Sequence, residues 1–196
     1  MIDGEDAVEL SKIYPYVVPA AYVQSIAPTH EGIALPIGHD VYAMLWEDCG
    51  GVSRNVSEEE LEAAGLDPFE AQDLALENLH AVARSGAVRI GLMGTKVDDT
   101  PFIVWAGHWL AASCVRLPNL YAFACEQLHT HDLCASIPQR ETLVIFPSKS
   151  KSFRDDMRRM IRTSEGRARK PITFELFSLT ADGVCPFQER SVVGGV

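Results

Sequence analysis

Apolar and polar residues recur along this chain with two periods, and the change from one to the other marks its elements. In residues 35–48, LPIGHDVYAMLWED, Val41, Ala43 and Leu45 occupy one phase of a two-residue alternation and Tyr42, Met44 and Trp46 the other. Apolar residues on both phases predict a strand covered on both faces, closed by Cys49-Gly50-Gly51. Residues 88–93 and 101–106 read as two more strands joined by the polar turn 94–100, a hairpin. A second hairpin is expected from 133–137 and 142–146, connected by Pro138-Gln139-Arg140-Glu141. Residues 172–179 alternate as a last strand before the turn Ala181-Asp182-Gly183.

Elsewhere the period is that of a helix. Ser57 with Glu60 fits a capping box, because hydroxyl and carboxylate each satisfy a free first-turn N–H, and Gly65 stops that short helix. Asp67-Pro68 starts another, with Phe69, Leu76, Leu79 and Ala83 as its apolar face and Gly86 as its end. Asn78 falls near that face and is expected to tie a neighbouring loop in place. Residues 107–117 look helical, and Pro118 opens a further helix to 128, with a break at Leu117-Pro118. Ser152 with Asp155 is expected to cap a helix that buries Phe153, Met157, Met160 and Ile161, exposes a stripe of Arg154, Arg158 and Arg162, and ends at Gly166. Toward the N-terminus, Pro15, Pro19 and Pro28 interrupt any long regular element.

Irregular interleaving of helices with two hairpins predicts an α+β fold, a mostly antiparallel sheet with helices packed on it, in a single domain. Residues 1–34 are expected as an irregular segment packed on the domain, 35–183 as the α+β domain, and 184–196 as a tail fraying at Gly194-Gly195.

Three stretches together resemble the YtpQ-like family of uncharacterised bacterial proteins: NVSEEELEAAGLDPFEAQDLALENL at 55–79, AASCVRLPNLYAF at 111–123 and SIPQRETLVIF at 136–146. They correspond to a capped acidic helix pair, a Leu-Pro helix and a Pro-x-Arg-acid strand turn, and the match they carry extends over about half the chain, from 55 to 146. Glu141 stands where the family tends to have Asp, and the N-terminal portion is abbreviated. The resemblance implies an α+β fold and a bacterial cytoplasmic location, and carries no reaction with it.

Composition narrows the class. At 196 residues, 47% hydrophobic and 22% charged, the chain has enough apolar content for a core, which excludes disorder and collagen-like repeats. The acidic opening, without a basic region and apolar stretch, predicts no secretory signal and a cytoplasmic protein. The uncharged run 100–115 is shorter than the roughly 20 residues a spanning helix needs, so no membrane partner is expected. Five cysteines cannot all pair and are expected to be reduced, with Cys114 and Cys125 buried among apolar neighbours.

A net charge of −10 makes nucleic acid an unfavoured partner. Residues 149–170 nevertheless hold nine basic residues against three acids, a local +6 that leaves −16 for the rest. That asymmetry predicts a non-catalytic binding or regulatory domain that recognises an anionic small molecule or acidic protein partner through its basic helix, Arg154, Arg158 and Arg162. Arg140 and Glu141 join them as candidate contacts, since an arginine held by two strands can clamp a carboxylate or phosphate.

The alternative is a small cytosolic enzyme, metal-dependent or thiol-based. His129, His131 and Cys134 are the weak metal candidates, imidazole and thiolate being zinc ligands, but no CxxC or HExxH accompanies them. Cys125 and His129, four apart, share a helix face without an orienting acid. GxxxxGK[ST], GxGxxG and GxSxG do not occur, and no cofactor is expected.

Overall fold

Apolar residues fall on both phases of the strands because one sheet is covered on both faces. The computed structural model describes residues 7–26, 33–95 and 99–189. Every strand pair among them is antiparallel, and the fold is α+β. Six strands form the larger sheet: β5 (Arg89–Gly94), β6 (Pro101–Ala106), β7 (Leu133–Gln139), β8 (Thr142–Pro147), β9 (Phe177–Thr180) and β10 (Gly183–Pro186), in the order β10-β9-β7-β8-β6-β5. Along β8, Leu143 and Ile145 enter the main core, whereas Val144 and Phe146 enter a second cluster on the opposite face. There they meet Met157 and Ile161 of α5 (Lys151–Glu165).

The smaller sheet runs β1 (Ile13–Pro19), β3 (Val41–Asp48), β2 (Ala34–Gly38), with β4 (Ser53–Asn55) also pairing β3. Its residues Tyr16, Val17, Ala43 and Met44 share the main core with Ile103, Trp105, Leu143 and Ile145 of the larger sheet. Between the sheets lies the 3-10 helix Ala112–Arg116, in which Ala112, Ser113, Cys114 and Val115 are buried. Val17 N–H donates to Ser113 Oγ at 3.3 Å, which ties β1 to that helix. A third cluster packs Ile13, Leu45 and Val56 against α2 (Glu58–Ala63) and α3 (Pro68–Arg84).

Two of the expected helix starts are present as capping boxes, Ser57 with Glu60 and Asp67 with Glu70. Asn78 Nδ2 donates to the carbonyls of Leu10 at 2.9 Å and Ile13 at 3.0 Å, so this amide fastens the incoming chain to α3. Both expected hairpins form, β5–β6 and β7–β8.

Several elements differ from expectation for identifiable reasons. Residues 13–19 are a strand despite Pro15 and Pro19, because β1 is an edge strand and a missing N–H is tolerated on the unpaired side. Short α1 (Ala20–Ile26) follows it. Residues 35–48 form two strands, turning at His39 (φ 50°) and Asp40 (φ 57°). Such a turn needs positive φ twice, which costs a non-glycine residue roughly 1 kcal/mol. His39 gains compensation from Leu176 O, 2.8 Å from its Nε2, and from an edge-on contact with Phe177. Beside it Gly38 (φ 120°) is irreplaceable on space as well, since a Cβ there would stand 2.5 Å from Pro186 Cγ. Residues 107–117 are turns and the 3-10 helix rather than an α-helix, and α4 (Leu120–Leu128) begins after the expected break. The last strand starts at Phe177, not at 172, and 183–186 is the strand β10 rather than part of a tail. The expected fraying at Gly194-Gly195 lies outside the described residues. Among the described residues no helix is long and apolar enough to cross a membrane.

Candidate functional site

The basic helix does not present the uniform stripe expected of it. Its N-cap is Ser150, whose Oγ accepts from Phe153 N–H at 3.3 Å, with Ser152 inside the first turn. Arg154 is buried, at 8% exposure, because it lies three residues before Met157 and seven before Ile161 and so shares their inward face. Its guanidinium donates to Glu189 at 2.6 Å and to Lys149 O, under the ring of Phe187 at 4.7 Å. Met160, expected inside, is 38% exposed. Arg158 pairs with Asp155 at 3.0 Å and Arg159 with Asp156 at 2.9 Å. Lys151 lies 2.9 Å from Asp155, whose carboxyl is held below its ordinary range by that hydrogen bond. Arg162 rests over Phe174 at 5.4 Å. Much of the local positive charge is therefore balanced within the helix itself.

Arg140 and Glu141 occupy the β7–β8 turn and engage each other, Arg140 Nη2 to Glu141 Oε1 at 3.1 Å. Burial alone would lower the Arg140 pKa. Hydrogen bonds to Tyr16 and Glu141 outweigh burial and hold it above its ordinary value. The Arg140 carbonyl accepts from Ala112 N–H at 3.0 Å, so this residue joins the hairpin to the inter-sheet helix.

The three weak metal candidates are not brought together. Cys134 is fully buried, and burial pushes its thiol up to about 11, the direction opposite to that required of a thiolate ligand. His129 is the left-handed C-cap of α4 (φ 51°), and exposed His131 has its carbonyl hydrogen-bonded by Tyr121 at 3.1 Å. Among the described residues no three His, Cys, Asp or Glu side chains converge. Cys125 is half-buried against the Tyr121 hydroxyl. His129 does line a cleft of about 320 Å³ with Thr100, Asp132 and Lys149.

A larger cleft, of about 600 Å³, lies between α3 and α4 over the β5–β6 edge, and no sequence motif announced it. Trp105 of β6 and Ile90 of β5 contribute its sheet side, and Leu117, Pro118, Leu120 and Phe123 its α4 side. Phe123 stands edge-on to Trp105 at 5.8 Å, an aromatic pair that fixes both rings. Leu76 and Ala83 belong to the apolar face expected of α3, and here they form a wall rather than disappearing beneath α4. Beside them run Asp73, Glu77, His80 and Arg84, at i, i+4, i+7 and i+11, so the rim is acidic near the start of α3 and basic near its end.

Among the described residues neither Asp73, Glu77 nor Arg84 forms an ion pair. Trp105 is 5% exposed, and among the described residues its buried Nε1 donor has no hydrogen-bond partner. The volume lies within the roughly 300–1,000 Å³ of small-molecule sites, and an apolar lining with few polar groups is their usual character. A leftover signal was present in the sequence, the polar stripe 73/77/80/84 flanking Leu76 and Ala83 on the same helix. Comparison with protein-family models, with curated proteins and with solved structures finds no match.

Proposed function

We propose that this chain is a binding domain, and that its ligand is a small amphiphilic organic cation held in the α3–α4 cleft. The observation that carries the reading is an apolar cleft of about 600 Å³ rimmed by two carboxylates, Asp73 and Glu77, free of ion pairs among the described residues. An apolar or aromatic body would lie against Trp105, Leu120 and Phe123, gaining about 25 cal/mol per Å² removed from water. A cationic end would sit by Asp73 and Glu77, and the net charge of −10 would steer it there.

Tryptophan fluorescence titration with an arylalkyl ammonium, its carboxylate analogue and the neutral alcohol tests this reading. The ammonium is expected to bind best. Asp73→Asn with Glu77→Gln should weaken it about fivefold and leave the alcohol unchanged, since two exposed charge contacts contribute roughly 1 kcal/mol together. Equal binding of all three ligands, or indifference to the double substitution, removes the cationic assignment. Loss of every ligand in Ala83→Trp, with the fold intact, would place binding in the cleft.

A second reading has its own support. Arg162 in the last turn of α5 and Arg167, Arg169 and Lys170 just beyond it are exposed and form no ion pair among the described residues, so an acidic protein partner or anionic ligand has a positive surface to meet there. Reversing Arg167, Arg169 and Lys170 to Glu should abolish retention on an anionic matrix if this surface is used.

A further inference from the structure

We infer that the edge of β5, unpaired among the described residues, is a self-association surface, on which a second copy of this chain pairs its own β5 antiparallel across a two-fold axis. An edge strand offers a row of unpaired N–H and C=O groups, and soluble proteins guard such edges with proline, charge, bulges or shortness. The other edges here are guarded. β1 carries Pro15 and Pro19, β2 has Pro36 and a register shift beside it, β4 is three residues long with Arg54 at its centre, and β10 is four residues ending in Pro186. β5 is six residues, RIGLMG, with no proline, no bulge in its pairing with β6, and every residue exposed.

Its one charge is turned away. The Arg89 guanidinium folds back over Gly107, where a Cβ would stand 2.5 Å from Nη2. What remains toward solvent is apolar: Ile90 is 45% exposed, Leu92 58% and Met93 53%.

The occupant follows from self-complementarity. A two-fold axis normal to the sheet sets residues of like parity opposite each other, so with Gly91 on the axis Ile90 faces Leu92 of the partner subunit and Arg89 faces Met93 of the partner subunit. No like charges meet in that register, although the molecule as a whole carries −10. Among the described residues nothing lies within 4 Å of where a Cβ on Gly91 would stand, so the centre of the contact is open. A second copy always brings the matching unguarded strand, and one contact closes both edges into a continuous antiparallel sheet. Six residues make a small interface, so the dimer is expected to dissociate on dilution.

Sedimentation velocity of the full chain over a dilution series tests the inference. A reversible monomer–dimer equilibrium is expected for the wild type, and loss of the dimer with an unchanged melting temperature for Leu92→Lys. Independently, Gly91→Cys in a Cys49→Ser, Cys185→Ser background should yield a dimer with a short bismaleimide, which the background alone does not. This crosslink keeps the test decisive if Leu92→Lys melts early. A chain monomeric at every concentration overturns the inference, including when β5 instead takes up a strand of another protein. So does a dimer that survives Leu92→Lys, or one that Gly91→Cys fails to trap.

Discussion

Arg154 and Glu189 meet at 2.6 Å, joining the first turn of α5 to the end of the described chain beneath Phe187. Arg154→Glu would set two carboxylates together beside a buried face. It is expected to cost about 2 kcal/mol or more, discounted from the roughly 3–5 kcal/mol of a fully buried pair because Glu189 is half exposed. Arg162→Glu, at an exposed position over Phe174, should cost under about 1 kcal/mol. Urea unfolding of the two variants checks the contrast, and equal losses would contradict the buried placement of Arg154.

The two methionines of α5 make a second contrast. Met157 is 2% exposed within the cluster of Phe102, Phe146 and Ile161, whereas Met160 is 38% exposed. Met157→Asp buries an unpaired charge and should leave the chain largely unfolded. Met160→Asp should change stability by less than about 0.5 kcal/mol. Circular dichroism melts distinguish them directly.

His108 predicts a pH dependence. Burial lowers its pKa from 6.5, against the opposing pull of Asp48 and Glu141, and its Nδ1 accepts from Leu110 N–H at 3.2 Å. The unfolded chain therefore takes up the proton first as pH falls. Stability contributed by neutral His108 is present above about pH 6.5 and is lost as the pH drops below it, toward the depressed folded pKa. Melting temperature between pH 7.5 and 5 should fall less steeply in His108→Asn than in the wild type, because an amide oxygen accepts the same N–H without titrating.

Thiol reactivity should divide by burial. Desolvation pushes Cys114 up to about 12 and Cys134 up to about 11, so both should resist alkylation until the protein unfolds. Cys49 and Cys185 are exposed and should label at once, with half-buried Cys125 between the two groups. Mass spectrometry of a timed alkylation near pH 8 reads the order, and early labelling at Cys134 would contradict its place in the core.

Much of the fold was legible because local chemistry and tertiary packing agree in this chain. Ser57/Glu60 and Asp67/Pro68 start helices where their caps dictate, and the apolar double phase of 41–46 anticipates a strand buried on both faces, with Met44 in the main core and Leu45 in the third cluster. What escaped depends on partners distant in sequence. His39-Asp40 is a poor turn signal until Leu176 and Phe177 are placed beside it. Arg154 looks like a surface residue until Glu189 supplies its counterion. The cleft is built from α3, β5, β6 and α4, and no single element could disclose that the apolar face of α3 extends beyond its cover.

The seam at Gly38 and Pro186 has a consequence for synthesis. Its two halves are far apart in sequence, with Gly38 ending the second strand and Pro186 ending the tenth. A nascent chain can close the β1–β3 pairing early, but the His39 turn lacks its Leu176 carbonyl until that segment has left the ribosome. The turn of the first sheet must therefore wait for residue 176 before it is held, and slow elongation up to that point would lengthen the exposure of the unfinished sheet to chaperones and to aggregation.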